Sequence, residues 1–204
     1  MRYLELYGFR GTLYMLCCYV KTRLLYRNSR LIRFPFDIRG RKYIDLGMNL
    51  TLGKYCRFEV FPHLMIEGDS MKLKIGKDVQ INDNVHICAM QSVEIGDNVL
   101  MASNIYISDN THGFYNGTAA NQSSPNVPPI NRPYYIAPVT IGKNVWICQG
   151  VVINPGVMIG EGSIIGANSV VTHSIPPYSI AVGAPARVIK YYDFTQACWV
   201  KRDN

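Results

Sequence analysis

IGKNVWICQGVVINPGVMIGEGSIIGANSV, residues 141–170, is the stretch that decides the fold. Isoleucine returns at every sixth position (Ile141, Ile147, Ile153, Ile159, Ile165), and four residues after each stands Val145, Val151, Val157, Ser163 or Ser169. A period of six is neither the roughly 3.6 of a helix nor the 2 of an alternating strand. The position before each of these Val or Ser residues is Asn144, Gly150, Gly156, Gly162 or Asn168. Those are residue types that tolerate left-handed backbone geometry or close a turn with their own side chain. The pattern describes short strands joined by regular corners, with aliphatic ladders inside.

Working outward, the same frame starts at 75, 81, 95, 101 and 107 (IGKDVQ, INDNVH, IGDNVL, MASNIY, ISDNTH), and a degenerate coil begins at LGKYCR, Leu52. Three hexads make a coil of about 18 residues, as in a parallel β-helix. The starts at 95 and 141 are 46 residues apart, so one coil carries an insertion of 28, rich in Asn, Ser, Pro and Gly. A long irregular loop inside a compact repeat is usually functional. Positions one and five of each hexad are expected to point inward and position six outward. The outward set is Gln80, His86, Leu100, Tyr106, His112, Trp146, Val152, Met158, Ile164 and Val170. His112 ends its hexad directly before the pattern breaks, and the loop is expected over 113–138.

With 204 residues and 48% of them apolar, the chain suits one domain with a sizeable core and is too apolar for a disordered protein. Of the net +7, residues 1–42 supply +8, ten Lys/Arg against Glu5 and Asp37, and the rest is −1. This segment is expected to form a basic helical cap over the solenoid end, with 43–190 as the β-helix and 191–204 as a tail. Residues 11–28 also suit a cationic helix resting on the inner face of a bacterial inner membrane. The run Leu13–Val20 is too short to span a bilayer. No recognition motif accompanies the basic stretch, which disfavours nucleic acid. Six cysteines without zinc-module spacing, and no secretory signal, give a cytoplasmic setting as the expectation.

The hexads, with His112 before a protruding loop and VWICQGVVINPGVMIGEGSIIGANSVVTHSIPPYSIAVGAPARVIK (145–190) after it, resemble the left-handed β-helix acyltransferases. RLIRFPFDIR (30–39), VQINDNVHI (79–87) and ISDNTHG (107–113) resemble, more narrowly, bacterial lipopolysaccharide O-acetyltransferases of O-antigen synthesis. The resemblance implies left-handed coils, a homotrimer with active sites between subunits, and acetyl-CoA as co-substrate without a metal. It implies a histidine at the place of His112 that removes a proton from the acceptor hydroxyl, which attacks the thioester directly. It carries Trp146, Gln149, Ala167, Thr172, His173, Arg187 and Lys190 over as coenzyme contacts. Gln149 departs from the serine of some relatives, and His173 stands where lysine is common.

The residues agree with that chemistry. A sugar hydroxyl needs a base poised near neutral pH, and no Cys or Ser stands in a recognisable nucleophile setting. Asn82 occupies a hexad's second position, where Gly is commonest, and is the candidate to polarise the acetyl carbonyl and to touch substrate. Asp109 is either a carboxylate orienting His112 or an ordinary corner aspartate like Asp83 and Asp97. Asn84 and Asn110 fill the fourth position and are expected to be structural corners. His86 and Tyr106 share the outward file with His112; His86 is expected to pack at a subunit face or to line the acceptor site, and Tyr106 is a candidate to touch substrate. The alternatives left open are N-acetylation of an amino-sugar nucleotide, a zinc hydratase of the same fold and a silent scaffold.

Overall fold

The computed structural model describes residues 2–61, 72–115, 117 and 122–201. Loop positions 116 and 118–121 and tail positions 202–204 lie outside the described residues.

From residue 31 the chain visits three parallel sheets in fixed rotation, one strand of each per turn. The first face stacks Leu31–Ile32, Thr51–Leu52, Gln80–Ile81, Leu100–Met101, Trp146–Ile147, Ile164–Ile165 and Ser179–Gly183. The second stacks Phe36–Arg39, Cys56–Val60, His86–Ala89, Tyr106–Ser108, Val152–Ile153 and Val170–Val171. The third stacks Ile44–Asp45, Leu73–Ile75, Val93–Ile95, Val139–Ile141 and Met158–Ile159, and a bridge at Ile175 continues it. This is a three-sided parallel β-helix. Its first coil uses residues 31–45, so the solenoid begins inside the segment expected to be only a cap.

The hexad frame predicts direction correctly along the regular coils. Ile75, Ile81, Ile95, Met101, Ile107, Ile141, Ile147, Ile153, Ile159 and Ile165 are all buried in one continuous core. Each such side chain contributes about 1.5–3 kcal/mol by leaving water. Asp78, Asn84, Asn98, Asn104, Asn144 and Asn168 have φ of 56–62°, and Gly150, Gly156 and Gly162 have φ of 66–78°. Fourth-position corners therefore do adopt left-handed backbone, with one departure at Asn110, discussed below.

Ahead of the solenoid, the helix Arg2–Leu25 is longer than the short helical segment expected, and Gly8, at φ 63°, breaks its regular geometry. Cys18 and Thr22 are buried. Ile32 N–H donates to Thr22 Oγ1 at 2.9 Å, and Tyr14 Oη donates to Phe34 O at 2.6 Å. The helix thus supplies a hydrogen-bond partner to the edge that the first strand would leave open. Leu6, Phe9, Leu13, Leu16, Leu24 and Leu25 remain exposed on it. Among the described residues no helix is long and apolar enough to cross a membrane. At the other end, Ala186–Asp193 and Cys198–Lys201 close the first face as antiparallel strands.

Candidate active site

The site is built on the second face. Alternation along each strand turns Phe58 and Ile87 inward and leaves Arg57, His86, Tyr106 and Val152 as one outward file in register, with Glu59, Cys88 and Ser108 as the next. Over this floor stands a hairpin. Asn110–His112 pairs antiparallel with Tyr134–Ile136, placing His112 opposite Tyr134. Floor and hairpin enclose a cleft of about 500 Å³ whose lining includes Glu59, His86, Tyr106, His112, Tyr134 and Asn154.

ISDNTH is therefore not a complete hexad, contrary to the sequence frame. Asn110 lies in an extended strand instead of turning a corner, and Thr111 is only half-buried. The cause is Asp109. Its carboxylate is 0% exposed and accepts from Met90 N at 2.8 Å, Gln91 N at 2.7 Å and Ser92 N at 2.8 Å, and from Asn110 Nδ2 at 3.0 Å. Corner aspartates do this on a smaller scale: Asp83 Oδ1 accepts from Lys54 N at 2.9 Å and Asp97 Oδ1 from Lys77 N at 2.6 Å. Asp109 takes three amides of the preceding coil and directs the chain out of the wall. It makes no hydrogen bond to His112 among the described residues; of the two readings open in the sequence, its contacts match the corner aspartate, here serving as the anchor of the hairpin.

His112 is exposed at the cleft, its ring 4.7 Å from that of Tyr134. The peptide around it is fixed: Tyr115 Oη donates to His112 O at 2.7 Å, Arg132 NH1 to Tyr115 Oη at 2.8 Å and Gly113 N to Pro133 O at 2.9 Å. Both ring nitrogens make no side-chain hydrogen bond among the described residues. A base held by backbone and ring contacts, with its nitrogens free, is arranged to meet an incoming proton donor.

His86 and Tyr106 line the same cleft, with their rings 5.2 Å apart. Burial and the adjacent Arg57 guanidinium push the His86 imidazole below its ordinary pKa, against the opposing pull of Glu59. Arg57 and Glu59 are residues that the sequence frame missed. They lie in the degenerate coil, where CRFEV reads as any alternating strand.

Asn82 is not brought to His112 within one chain. It is exposed at the corner between the first and second faces, whereas His112 leaves from the corner between the second and third. Nor is Asn82 anomalous in its own file, which continues through Ala102 and Cys148. Glycine recurs at the corner after the third face, where a Cβ on Gly96 would stand 2.6 Å from Lys143 N and one on Gly142 2.6 Å from Glu161 N, whereas Asn82's own corner is mixed: a Cβ on Gly53 would stand 2.4 Å from Asn82 C.

The coenzyme candidates also divide. Thr172 and His173 meet, Thr172 Oγ1 lying 2.8 Å from His173 Nδ1, in a cavity of about 630 Å³ on the far side of the hairpin. That cavity shares Thr111, Asn154 and Pro155 with the cleft. Gln149 and Ala167 are exposed one coil apart on the corner that carries Asn82, with Asn168 N donating to Gln149 O at 2.8 Å. Trp146 is exposed on the first face in register with Ile164, followed by Ile180 and Lys190. Arg187 is exposed on the same closing strand. One chain thus presents these residues as separate strips. Among the described residues no three His, Cys, Asp or Glu side chains gather in a way that could hold a metal ion.

Three parallel faces turned by corners that recur every six residues define a hexapeptide-repeat protein. The family described as bacterial transferase hexapeptide (six repeats) matches residues 138–173. The putative lipopolysaccharide biosynthesis O-acetyl transferase WbbJ of Escherichia coli (strain K12) is 38% identical over 195 residues, covering 96% of this chain and 95% of that one. Galactoside O-acetyltransferase of the same strain is 43% identical over 156 residues, covering 76% and 70%. A crystal structure of a hexapeptide-repeat acetyltransferase from Vibrio cholerae, complexed with acetyl-CoA, matches with a TM-score of 0.53 and 26% identity over 74% of this chain and 73% of that one. The chain belongs to the hexapeptide-repeat acetyltransferases, and the expected family is thereby shown.

Proposed function

We propose that the protein transfers an acetyl group from acetyl-CoA to a sugar hydroxyl in bacterial O-antigen or surface polysaccharide synthesis. The observation that carries this reading is His112: exposed, backbone-anchored, its ring nitrogens without a hydrogen bond among the described residues, at the mouth of a cleft large enough for a sugar ring. The relatives of similar length support it, since their names place them among O-acetyltransferases acting on lipopolysaccharide or a galactoside. In this mechanism His112 takes the proton of the acceptor hydroxyl as its oxygen attacks the thioester carbonyl. The carbon–sulfur bond breaks and the proton passes to the departing thiolate. A positioned base of this kind is worth roughly 10²–10⁴ in rate.

The assembly proposed is a homotrimer of left-handed coils with active sites between subunits. The separation of strips within one chain supports it. Asn82, Gln149 and Ala167 share one corner and His112, Thr172 and His173 the next, so both sets reach one ligand where the corner of one subunit faces the second face of its neighbour. There Asn82 would donate to the thioester oxygen and Arg187 and Lys190 would pair with coenzyme phosphates.

Purified protein, acetyl-CoA and a panel of glycans give the test, following free thiol and a mass gain of one acetyl. The expected product is an ester that mild alkali removes. An alkali-stable amide would mean an amino-sugar acceptor, and no glycan-dependent thiol release would refute the transferase reading.

A further inference from the structure

Below His112 the cleft floor holds a polar cluster in which Arg57 and Glu59 have no task in the proposed reaction. Glu59 is 3% exposed although strand alternation turns it outward between the inward Phe58 and Val60. It is covered by its own partners. Arg57 Nε donates to Glu59 Oε1 at 2.6 Å, His86 Nε2 lies 3.1 Å from the same oxygen and Arg39 NH1 3.7 Å from Oε2. A carboxylate oxygen only accepts, so the imidazole proton belongs on Nε2 and the lone pair on Nδ1. Arg57 NH2 is 3.4 Å from Nδ1 and 3.2 Å from Nε2, a nearly equal reach that sets it over the ring instead of in line with either nitrogen. Arg57 Nε, 3.3 Å from Nε2, has the closer carboxylate for its proton. The ring of Tyr106 flanks His86 at 5.2 Å. Charge closes within the cluster: Arg57 pairs with Glu59, and Arg39 pairs with Asp37 at 2.8 Å. Among the described residues an anionic ligand would find no surplus cation here.

We propose that Glu59 is a positioning residue that fixes His86 and Arg57 as a subsite for an uncharged, hydroxyl-bearing sugar ring. His86 Nδ1 accepts from one ring hydroxyl, Arg57 donates to a neighbouring oxygen and Tyr106 offers an aromatic face. The inference rests on the transferase reading for the fate of the sugar, but not for its binding.

Histidine NMR and kinetics test it together. The chain has four histidines, so single substitutions assign each signal. In the wild type His86 should show the Nε2–H tautomer, and Glu59→Gln should abolish that preference. With the best acceptor from a panel of neutral glycosides, E59Q should raise the acceptor KM about tenfold, the size of one lost hydrogen bond, and leave the KM of acetyl-CoA within twofold. His86→Phe, which keeps a ring under Arg57, should show the same split and serves if E59Q does not fold. Matching uronic acids should bind more weakly than neutral glycosides. A wild-type Nδ1–H tautomer, equal KM changes for both substrates, or His86 signals that no neutral glycoside shifts would each overturn the proposal. Glycosides that shift His86 without ever being acetylated would refute the transferase reading and leave the subsite standing.

Discussion

The rings of His112 and Tyr134 lie 4.7 Å apart and tilted by 45°, brought together by antiparallel pairing across the loop. The loop thereby supplies a wall of the cleft and also the surface against which the histidine ring rests. Tyr134→Ala should lower kcat about fivefold, in keeping with the roughly 1 kcal/mol of an aromatic pair. Tyr134→Phe, which keeps the ring, should stay within twofold of wild type. Steady-state acetyl transfer distinguishes them, and a Phe variant as slow as Ala would point to the hydroxyl instead.

Asp109 holds three amides of the coil before it. Asp109→Ala leaves the buried Met90 N–H and the part-buried Gln91 and Ser92 N–H groups without their acceptor and should cost about 3 kcal/mol, read as a fall in thermal midpoint. A variant that keeps its stability and loses only turnover would show that Asp109 acts on His112 after all.

Coil stacking sets a second stability expectation. A Cβ on Gly142 would stand 2.6 Å from Glu161 N, a backbone atom that moves only with its coil. Gly142→Ala should therefore destabilise by about 2 kcal/mol or more, whereas Cys148→Ala, at the same hexad position of the next corner, should be mild. Equal thermal midpoints for the two would contradict the corner assignment.

How far the sequence leads is visible in these residues. At 141–170 the period of six gives face, corner and direction correctly, because every corner there repeats one backbone geometry. The same frame fails at Asn110. Asp109 resembles any corner aspartate in sequence, and only its burial over residues 90–92 shows why the chain departs. Tyr134 was illegible because its partnership with His112 is made across an irregular loop. Arg57 and Glu59 were illegible because their link to His86 is a stacking of coils nearly thirty residues apart in sequence. Asn82 misled for the opposite reason: its frame position looked exceptional, yet that corner has room for side chains at Ala102 and Cys148.

The depressed His86 pKa also predicts a pH dependence of stability. Unfolded chains protonate His86 below about 6.5, whereas the folded site, desolvated and facing Arg57, Arg39 and Glu59, protonates only at lower pH. Since the unfolded state binds the extra proton, stability should fall as pH drops through that window and level off below the folded pKa. In thermal melts from pH 7.5 to 5, His86→Phe should flatten this slope. An unchanged slope would mean that another group carries it.

The central claim is that His112 is the base, and His112→Ala tests it most directly. With acetyl-CoA and an accepted glycan, turnover should fall by roughly 10² or more, while oligomeric state, thermal midpoint and the KM of acetyl-CoA stay close to wild type. A variant that transfers acetyl at the wild-type rate would remove His112 from the mechanism.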